Sequence, residues 1–379
     1  MNENVRAGFN YIFGLLYAVE QKAIPGDELF FPSIIGEMLN FYRRYWHLSL
    51  DSVYEEAMFL IKKPEERLIM AAYEAFGRNL PEVALRLTES AIVISSELTY
   101  SAEYISFLVK NRNMELTRQF IGDFGERFPG NRYLEEKLFS CDVAEKFWSY
   151  DYYDLLADIQ VNYRPRVYVE IGVATGKSLA LARSETRALG IDPVSAEKSM
   201  LPYHSPQNSP SLFKMTSDDF FAYRDVPAEM GRAHFDVAFI DGLHHFDQAL
   251  RDFINLERFA GPNSVILIHD CLPIDPRVAT RERSTAFWTG DVWKIIPCLR
   301  TVRPDLDIIT LPLSPAGLAL VRRMDPNSRV LARQYVNVVE QFNAMELPES
   351  WEERRTLLAV EKDQSRFSIA DYVPKGGWI

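Results

Sequence analysis

Residues 167–182 read VYVEIGVATGKSLALA, and this stretch decides the fold. An apolar, β-branched run enters Gly172, a tight glycine turn follows, and a helix is expected from near Lys177. That run is Arg166–Ile171, similar runs recur downstream at Ala188–Ile191, Phe235–Ile240 and Ser264–His269, and all four read as buried parallel strands. Leu306–Leu311 and Gly317–Arg322 read as a late antiparallel pair, and a helix is expected from about 327 through Met345. Strands alternating with helices predict an α/β, doubly wound sheet that binds ligands at its carboxyl strand ends. Upstream the period changes to that of helices, over 34–48, 51–62, 66–77, 81–95, 99–111, 114–128 and 132–149. The stretches from Ala71 and from Glu103 align weakly, with Arg-Asn pairs at 78–79 and 112–113, which suggests tetratricopeptide-like hairpins or a plain helical bundle. The expected organisation is a helical domain over 1–135, connecting helices over 136–165, the sheet domain over 166–326, and a helix and tail over 327–379.

The chain has 379 residues and a net charge of −11, which argues against nucleic acid or an anionic membrane as the main partner. Cys141, Cys271 and Cys298 are widely spaced and form no CxxC pair, so a disulfide framework or a cysteine zinc site is not expected. A reducing, cytoplasmic location fits this usage. No run approaches the roughly 20 apolar residues of a membrane span. The segment YIFGLLYAV at 11–19 lacks the flanks of a signal peptide and reads as an amphipathic or core helix.

Three ligands compete for the glycine loop. A phosphate-binding P-loop needs four residues before Gly-Lys-Ser, but GVATGKS supplies three. A dinucleotide fingerprint needs glycine where Ala174 stands, which disfavours NAD or FAD without removing them. What remains is an acid followed by a spaced glycine pair: Glu170, Gly172 and Gly176.

That pattern, with GIDP placing Asp192 at the next strand end, resembles class I S-adenosylmethionine-dependent methyltransferases. The resemblance implies a Rossmann-like sheet, a loop under the amino-acid part of the cofactor, and a ribose contact from Asp192. A carboxylate suits that role because it accepts two hydroxyl hydrogen bonds. The family usually supplies an adenine contact where Asp218 and Asp219 stand, and Asp218 is the candidate. The alternative is that Ser217 or Asp218 simply caps a helix.

FDVAFIDGLHHFDQALRDF, from Phe235 to Phe253, and VILIHD, ending at Asp270, bring Asp241, His244, His269 and Asp270 to one sheet edge if their strands are parallel neighbours. DGxH after one strand, an acid pair position after the next, and GDVWK from Gly290 resemble the methyltransferase-24 and cephalosporin-hydroxylase-like group, which includes macrolide sugar O-methyltransferases. That resemblance covers about 165–325. It implies magnesium on the equivalents of Asp241 and Asp270 plus an acid where His269 stands, and a general base at His244. The histidine at 269 departs from the pattern: imidazole suits zinc, iron, copper or nickel better than magnesium. A metal site of altered preference (manganese or zinc), a magnesium site on Asp241 and Asp270 alone, and a metal-free site all stay open. His245 reads as structural.

Methyl transfer to a hydroxyl needs alignment and a proton acceptor, and a histidine titrating near neutrality suits the second task. The loop Leu272–Thr289 is long enough to be a lid, and its Arg277, Arg281 and Arg283 would either meet an anionic acceptor or form a solvated charged surface. The reading is an O-methyltransferase for a small-molecule or saccharide acceptor, with the helical region serving assembly, as in a homo-oligomer, or substrate presentation. The rivals are a nicotinamide-dependent oxidoreductase and a non-catalytic helical scaffold. The amine-methylation motif is absent after FDVAFI, where IDGLHH stands.

Overall fold

Pro64 and Pro81 each open a helix, with a glutamate in the first turn, where a missing N–H costs nothing and negative charge is favourable. These helices belong to a computed structural model that describes residues 31–61, 63–95, 98–127, 132–194, 203, 205–285, 287–374 and 377–378. The helix expected at 11–19 lies outside the described residues. The chain divides into two compact units, one through Glu145 and one from Lys146.

In the first unit the described helices are α1 (Phe31–Trp46), α2 (Asp51–Leu60), α3 (Pro64–Gly77), α4 (Pro81–Ile94), α5 (Leu98–Lys110), α6 (Met114–Arg127) and α7 (Arg132–Lys146), which crosses the boundary. Ile69, Ala72 and Tyr73 of α3 meet Ala84 and Leu85 of α4 and Tyr100 and Phe107 of α5 in one apolar core. Helix starts recur, with α5 beginning 34 residues after α3 and α6 beginning 33 after α4. The turn after α3 closes through left-handed Asn79 with Leu80 N–H donating to Ala75 O, and the turn after α5 closes through Arg112 with Asn113 N–H donating to Leu108 O. The two turns are therefore 33 residues apart, so the Arg-Asn pairs at spacing 34 are out of register by one.

The second unit opens with α8 (Tyr152–Asp158), whose start is fixed by reciprocal Asp151–Asp154 capping. The sheet strands are β1 (Val167–Ile171), β2 (Arg187–Ile191), β3 (Ser211–Phe213), β4 (Phe235–Ile240), β5 (Ala260–His269), β6 (Asp307–Leu311) and β7 (Leu318–Arg322). Their order is β3-β2-β1-β4-β5-β7-β6. The first five run parallel, and β7 is antiparallel to both β5 and β6. Every residue of β1 and β4 is buried, which explains why their runs are apolar except for Glu170 and Asp236. Asp236 pins the start of β1 by accepting from the Arg166 and Val167 amides. α9 (Ser217–Tyr223), α10 (Val226–Met230), α11 (Phe246–Glu257), α12 (Ile295–Val302), α13 (Val330–Asn343) and α14 (Trp351–Leu357) complete the unit. α11 buries Phe246, Ala249, Leu250, Phe253 and Leu256, a helical stripe, each large side chain contributing about 1.5–3 kcal/mol.

The expected doubly wound sheet after an all-α region is present. One element differs. No α-helix follows the glycine loop; there is only a single 3-10 turn, Leu179–Leu181. Leu179, Ala180, Leu181 and Ala182 are buried consecutively, so this stretch has no polar face with which to form a surface helix. The cap of α9 also differs: it is Thr216, whose hydroxyl accepts from the Asp219 amide, rather than Ser217 or Asp218.

Candidate active site

β1 leads into a turn whose Gly172, Ala174 and Gly176 all take positive φ, at 88°, 45° and 80°. A Cβ on Gly172 would stand 2.0 Å from the Asp241 carbonyl oxygen, so only glycine lets the ends of β1 and β4 approach. Glu170 is fully buried and accepts from Tyr168 Oη and Ser178 Oγ, both at 2.7 Å. Burial pushes its pKa up to about 8 against the pull of those two hydroxyls. It braces the loop from within. Asp192, at the end of β2, accepts from the Val173 and Ala174 amides through Oδ2 and from Val194 N through Oδ1. Its carboxylate therefore shapes the loop directly. Asp218 lies in the first turn of α9 and accepts from Arg251 Nε at 3.2 Å.

Parallel pairing of β4 with β5 brings Asp241, His244, His269 and Asp270 together. His244 Nδ1 lies 3.1 Å from Asp270 Oδ2, and its Nε2 lies 3.6 Å from Asp241 Oδ1. His269 Nδ1 lies between two carboxylates, 3.2 Å from Asp241 Oδ1 and 3.4 Å from Asp270 Oδ1. Two of these residues hold left-handed backbone that branched or bulky residues avoid: His244 at φ 51° and Asp270 at φ 60°. Such strain persists only where surrounding structure enforces it. His245 occupies the N-cap position of α11 without a side-chain capping bond and stands edge-on to Trp288.

Charge explains the cluster's chemistry. For His244, burial favours the neutral ring, but the Asp270 and Asp241 carboxylates outweigh it and raise the pKa to about 9. His269 is driven well above the usual histidine range by the same two acids, despite complete burial. For Asp241, burial acts upward, yet the adjacent imidazoles hold its carboxyl well below the ordinary range. Asp241, His269 and Asp270 each offer one ligand atom, and these atoms lie within 4.8 Å of one another.

The Leu272–Thr289 loop leads into Gly290, which packs against the cluster. At φ 62°, a Cβ there would stand 1.8 Å from the His244 carbonyl oxygen. The Asp291 amide donates to that same oxygen, and Asp291 Oδ1 accepts from Phe246 N at the start of α11. The Trp288 ring stacks on His244 at 5.3 Å. Arg277 pairs with Asp275, and Arg281 pairs with Asp247 at 2.7 Å. Arg283 Nε donates to Thr285 O.

Several site residues escaped sequence reasoning. The Tyr152 ring packs against His269, tilted by 41° with centroids 4.4 Å apart, and Tyr153 lies under the Lys177 ammonium at 4.4 Å. The Asp151–Asp154 cap could signal the helix that carries them, but not their place at the cluster. Asp252 is a buried acid beside the cluster, bonded to Ser217 Oγ and Gln248 Nε2, with burial pushing its pKa to about 6. Nothing in the pattern of α11 distinguished it.

Residues 169–271 match the methyltransferase-24 family, described as a methyltransferase domain. The chain carries a methyltransferase domain. The matched segment runs from the third residue of β1 to the residue after Asp270, so it contains the loop, Asp192 and the whole acid–histidine cluster. The match agrees with the expected methyltransferase domain over that segment. No curated protein matches the chain. Among solved structures it is similar to an O-methyltransferase from Klebsiella pneumoniae, at 15% identity over 44% of this chain and 77% of that one, with a TM-score of 0.33. It is also similar to the O-methyltransferase TomG from Streptomyces achromogenes in complex with S-adenosylmethionine, at 17% identity, 44% and 77% coverage and a TM-score of 0.32. A Podospora anserina methyltransferase bound to S-adenosylhomocysteine gives 16% identity, 48% and 82% coverage and a TM-score of 0.36. Likenesses of this size carry no argument about the acceptor. Among the described residues no helix is long and apolar enough to cross a membrane.

Proposed function

We propose that the methyltransferase domain moves a methyl group from S-adenosylmethionine to a hydroxyl of a saccharide or glycosylated natural product, with His244 as the base. The observation that carries this reading is the cluster itself: two carboxylates and two imidazoles in mutual contact beside the glycine loop. The loop suits the cofactor's methionine end because the left-handed residues Gly172, Ala174 and Gly176 turn the backbone sharply at the carboxyl end of β1, where sheets of this kind bind ligands. Asp192 stands at the β2 end, where ribose hydroxyls would donate to it, and Asp218 is the adenine-side candidate. Glu170 and Asp241 act by holding the loop and the neighbouring imidazoles.

In the reaction, the acceptor oxygen bonds the methyl carbon as the carbon–sulfur bond breaks and S-adenosylhomocysteine leaves. The hydroxyl proton goes to His244. That step requires the neutral ring, so the carboxylates that raise its pKa to about 9 set the pH at which the base is ready. Trp288, stacked on His244, covers the ring and limits water access.

The donor set fits a divalent cation, since an imidazole and two carboxylates converge. Such an ion would be held by Asp241, His269 and Asp270 and would make the acceptor hydroxyl more acidic. Manganese or zinc suits these ligands better than magnesium. Buried His269 Nε2 has no hydrogen-bond partner among the described residues, whereas a ligating imidazole normally donates through its other nitrogen, which runs against a dedicated metal histidine.

The lid arginines engage carboxylates or carbonyls of the chain itself, which favours an uncharged acceptor over an anionic one. Residues 1–135 would present substrate or assemble a homo-oligomer, and three buried free cysteines are in keeping with a cytoplasmic enzyme. Transfer of labelled methyl from S-adenosylmethionine to a panel of glycosides tests the reading. Product from the wild-type protein, and none from His244→Ala that still binds S-adenosylhomocysteine, is expected. Equal turnover by both proteins would remove His244 as the base.

A further inference from the structure

A second cavity, of about 360 Å³, lies between the lid and the segment that follows α13. Its size is that of a small-molecule site. Arg281 belongs to the lid, Asp291 and Lys294 come from the GDVWK stretch, and Glu346, Leu347 and Glu349 come from the C-terminal segment beyond the matched domain. The cavity does not include the acid–histidine cluster, which lines its own depression with Asp241, His244, His269 and Asp270. Asp291 joins the two. It is one of the residues that line the larger cavity, while its amide donates to the His244 carbonyl oxygen at 3.2 Å.

The charges of the lining define the ligand. Arg281 is engaged by Asp247 at 2.7 Å and faces Asp291 at 3.7 Å. Lys294 faces Asp291 at 3.4 Å and donates to Asn343 O at 2.9 Å. Both cations are thus already compensated. Glu346 and Glu349 are exposed, and neither forms an ion pair among the described residues. An anion would meet surplus carboxylate. A hydroxyl is matched to this lining, because it donates to a carboxylate and accepts from a guanidinium or ammonium N–H. Leu347 adds an apolar surface suited to the C–H face of a ring.

We propose that this cavity is a second acceptor subsite that receives an uncharged, hydroxyl-rich group, a glycosyl ring or short saccharide, while the reacting hydroxyl lies at His244. The proposal rests on the reading of the His244 cluster as the methyl-transfer site. Its test uses the full chain saturated with S-adenosylhomocysteine and applied to an array of neutral and anionic glycans. The best neutral ligand is then titrated into the wild type, Glu349→Gln and Leu347→Trp. Neutral glycans should bind, and each substitution should weaken binding about tenfold, the loss of one charge-assisted contact or of cavity space, with S-adenosylhomocysteine affinity unchanged. Preference for anionic glycans, binding of none, or binding untouched by either substitution would overturn the subsite while leaving the methyltransferase site standing. Loss of S-adenosylhomocysteine binding in the wild type would instead remove both.

Discussion

His244 shows how much of this site is electrostatic. Its folded pKa of about 9 stands above the ordinary 6.5 because Asp270 and Asp241 outweigh burial. A raised histidine contributes its full stabilisation below the unfolded value and loses it as pH rises through the folded one. The advantage of wild type over His244→Gln should therefore shrink between pH 6.5 and about 9, by on the order of 2 kcal/mol, in denaturant melts. A constant difference across that window would mean the ring is not charged. Methyl transfer should rise over the same range, and an added divalent ion that neutralises Asp241 and Asp270 should move the rise to lower pH. Glu170 makes a different case. Gln at 170 can keep both hydroxyl contacts, so Glu170→Gln should leave the melt nearly unchanged. Glu170→Ala strands the Tyr168 and Ser178 hydroxyls and should cost about 2–4 kcal/mol. The acids and histidines at strand ends were legible because each ends an apolar run. Asp252, Tyr152 and Tyr153 were not, because only the packing of α11 and α8 gives them a role.

At the scale of elements, the lid is held by a glycine that no other residue can replace. Gly290→Ala drives a Cβ into the His244 carbonyl, and a loss of at least about 2 kcal/mol is expected together with collapse of the Trp288–His244 stack, readable by tryptophan fluorescence. Unchanged melting and fluorescence would show that the contact relaxes freely. The opposite exchange concerns Ala174, an alanine at φ 45° in the loop: Ala174→Gly should be neutral to slightly stabilising in thermal melts, within about 1 kcal/mol. A large destabilisation would mean that the methyl group packs against something essential. Helices of the first unit were readable to within a few residues, since proline, glutamate and apolar spacing agree at Pro64 and Pro81. β3, with three residues, is too short to show a period, and the consecutively buried Leu179–Ala182 looked like a helix only because burial on all sides mimics one. α14 was missed in the polar tail, where a Ser350 cap was the available sign.

At the scale of the whole molecule, the chain joins a helical unit to a methyltransferase unit, each with its own buried side chains. A chain beginning near residue 146 should fold and bind S-adenosylhomocysteine with an affinity within about threefold of the full chain, as expected when a domain holds its own core. Failure to fold would show that the helical unit is required for the sheet. The glycine loop and Asp192 are assigned to the methyl donor, and calorimetric titration of S-adenosylhomocysteine into chelator-treated protein reads that assignment out. One-to-one saturable binding that is lost in Asp192→Ala is expected, with repeats in manganese and zinc reporting whether Asp241, His269 and Asp270 take an ion. Absence of binding under every condition would contradict it.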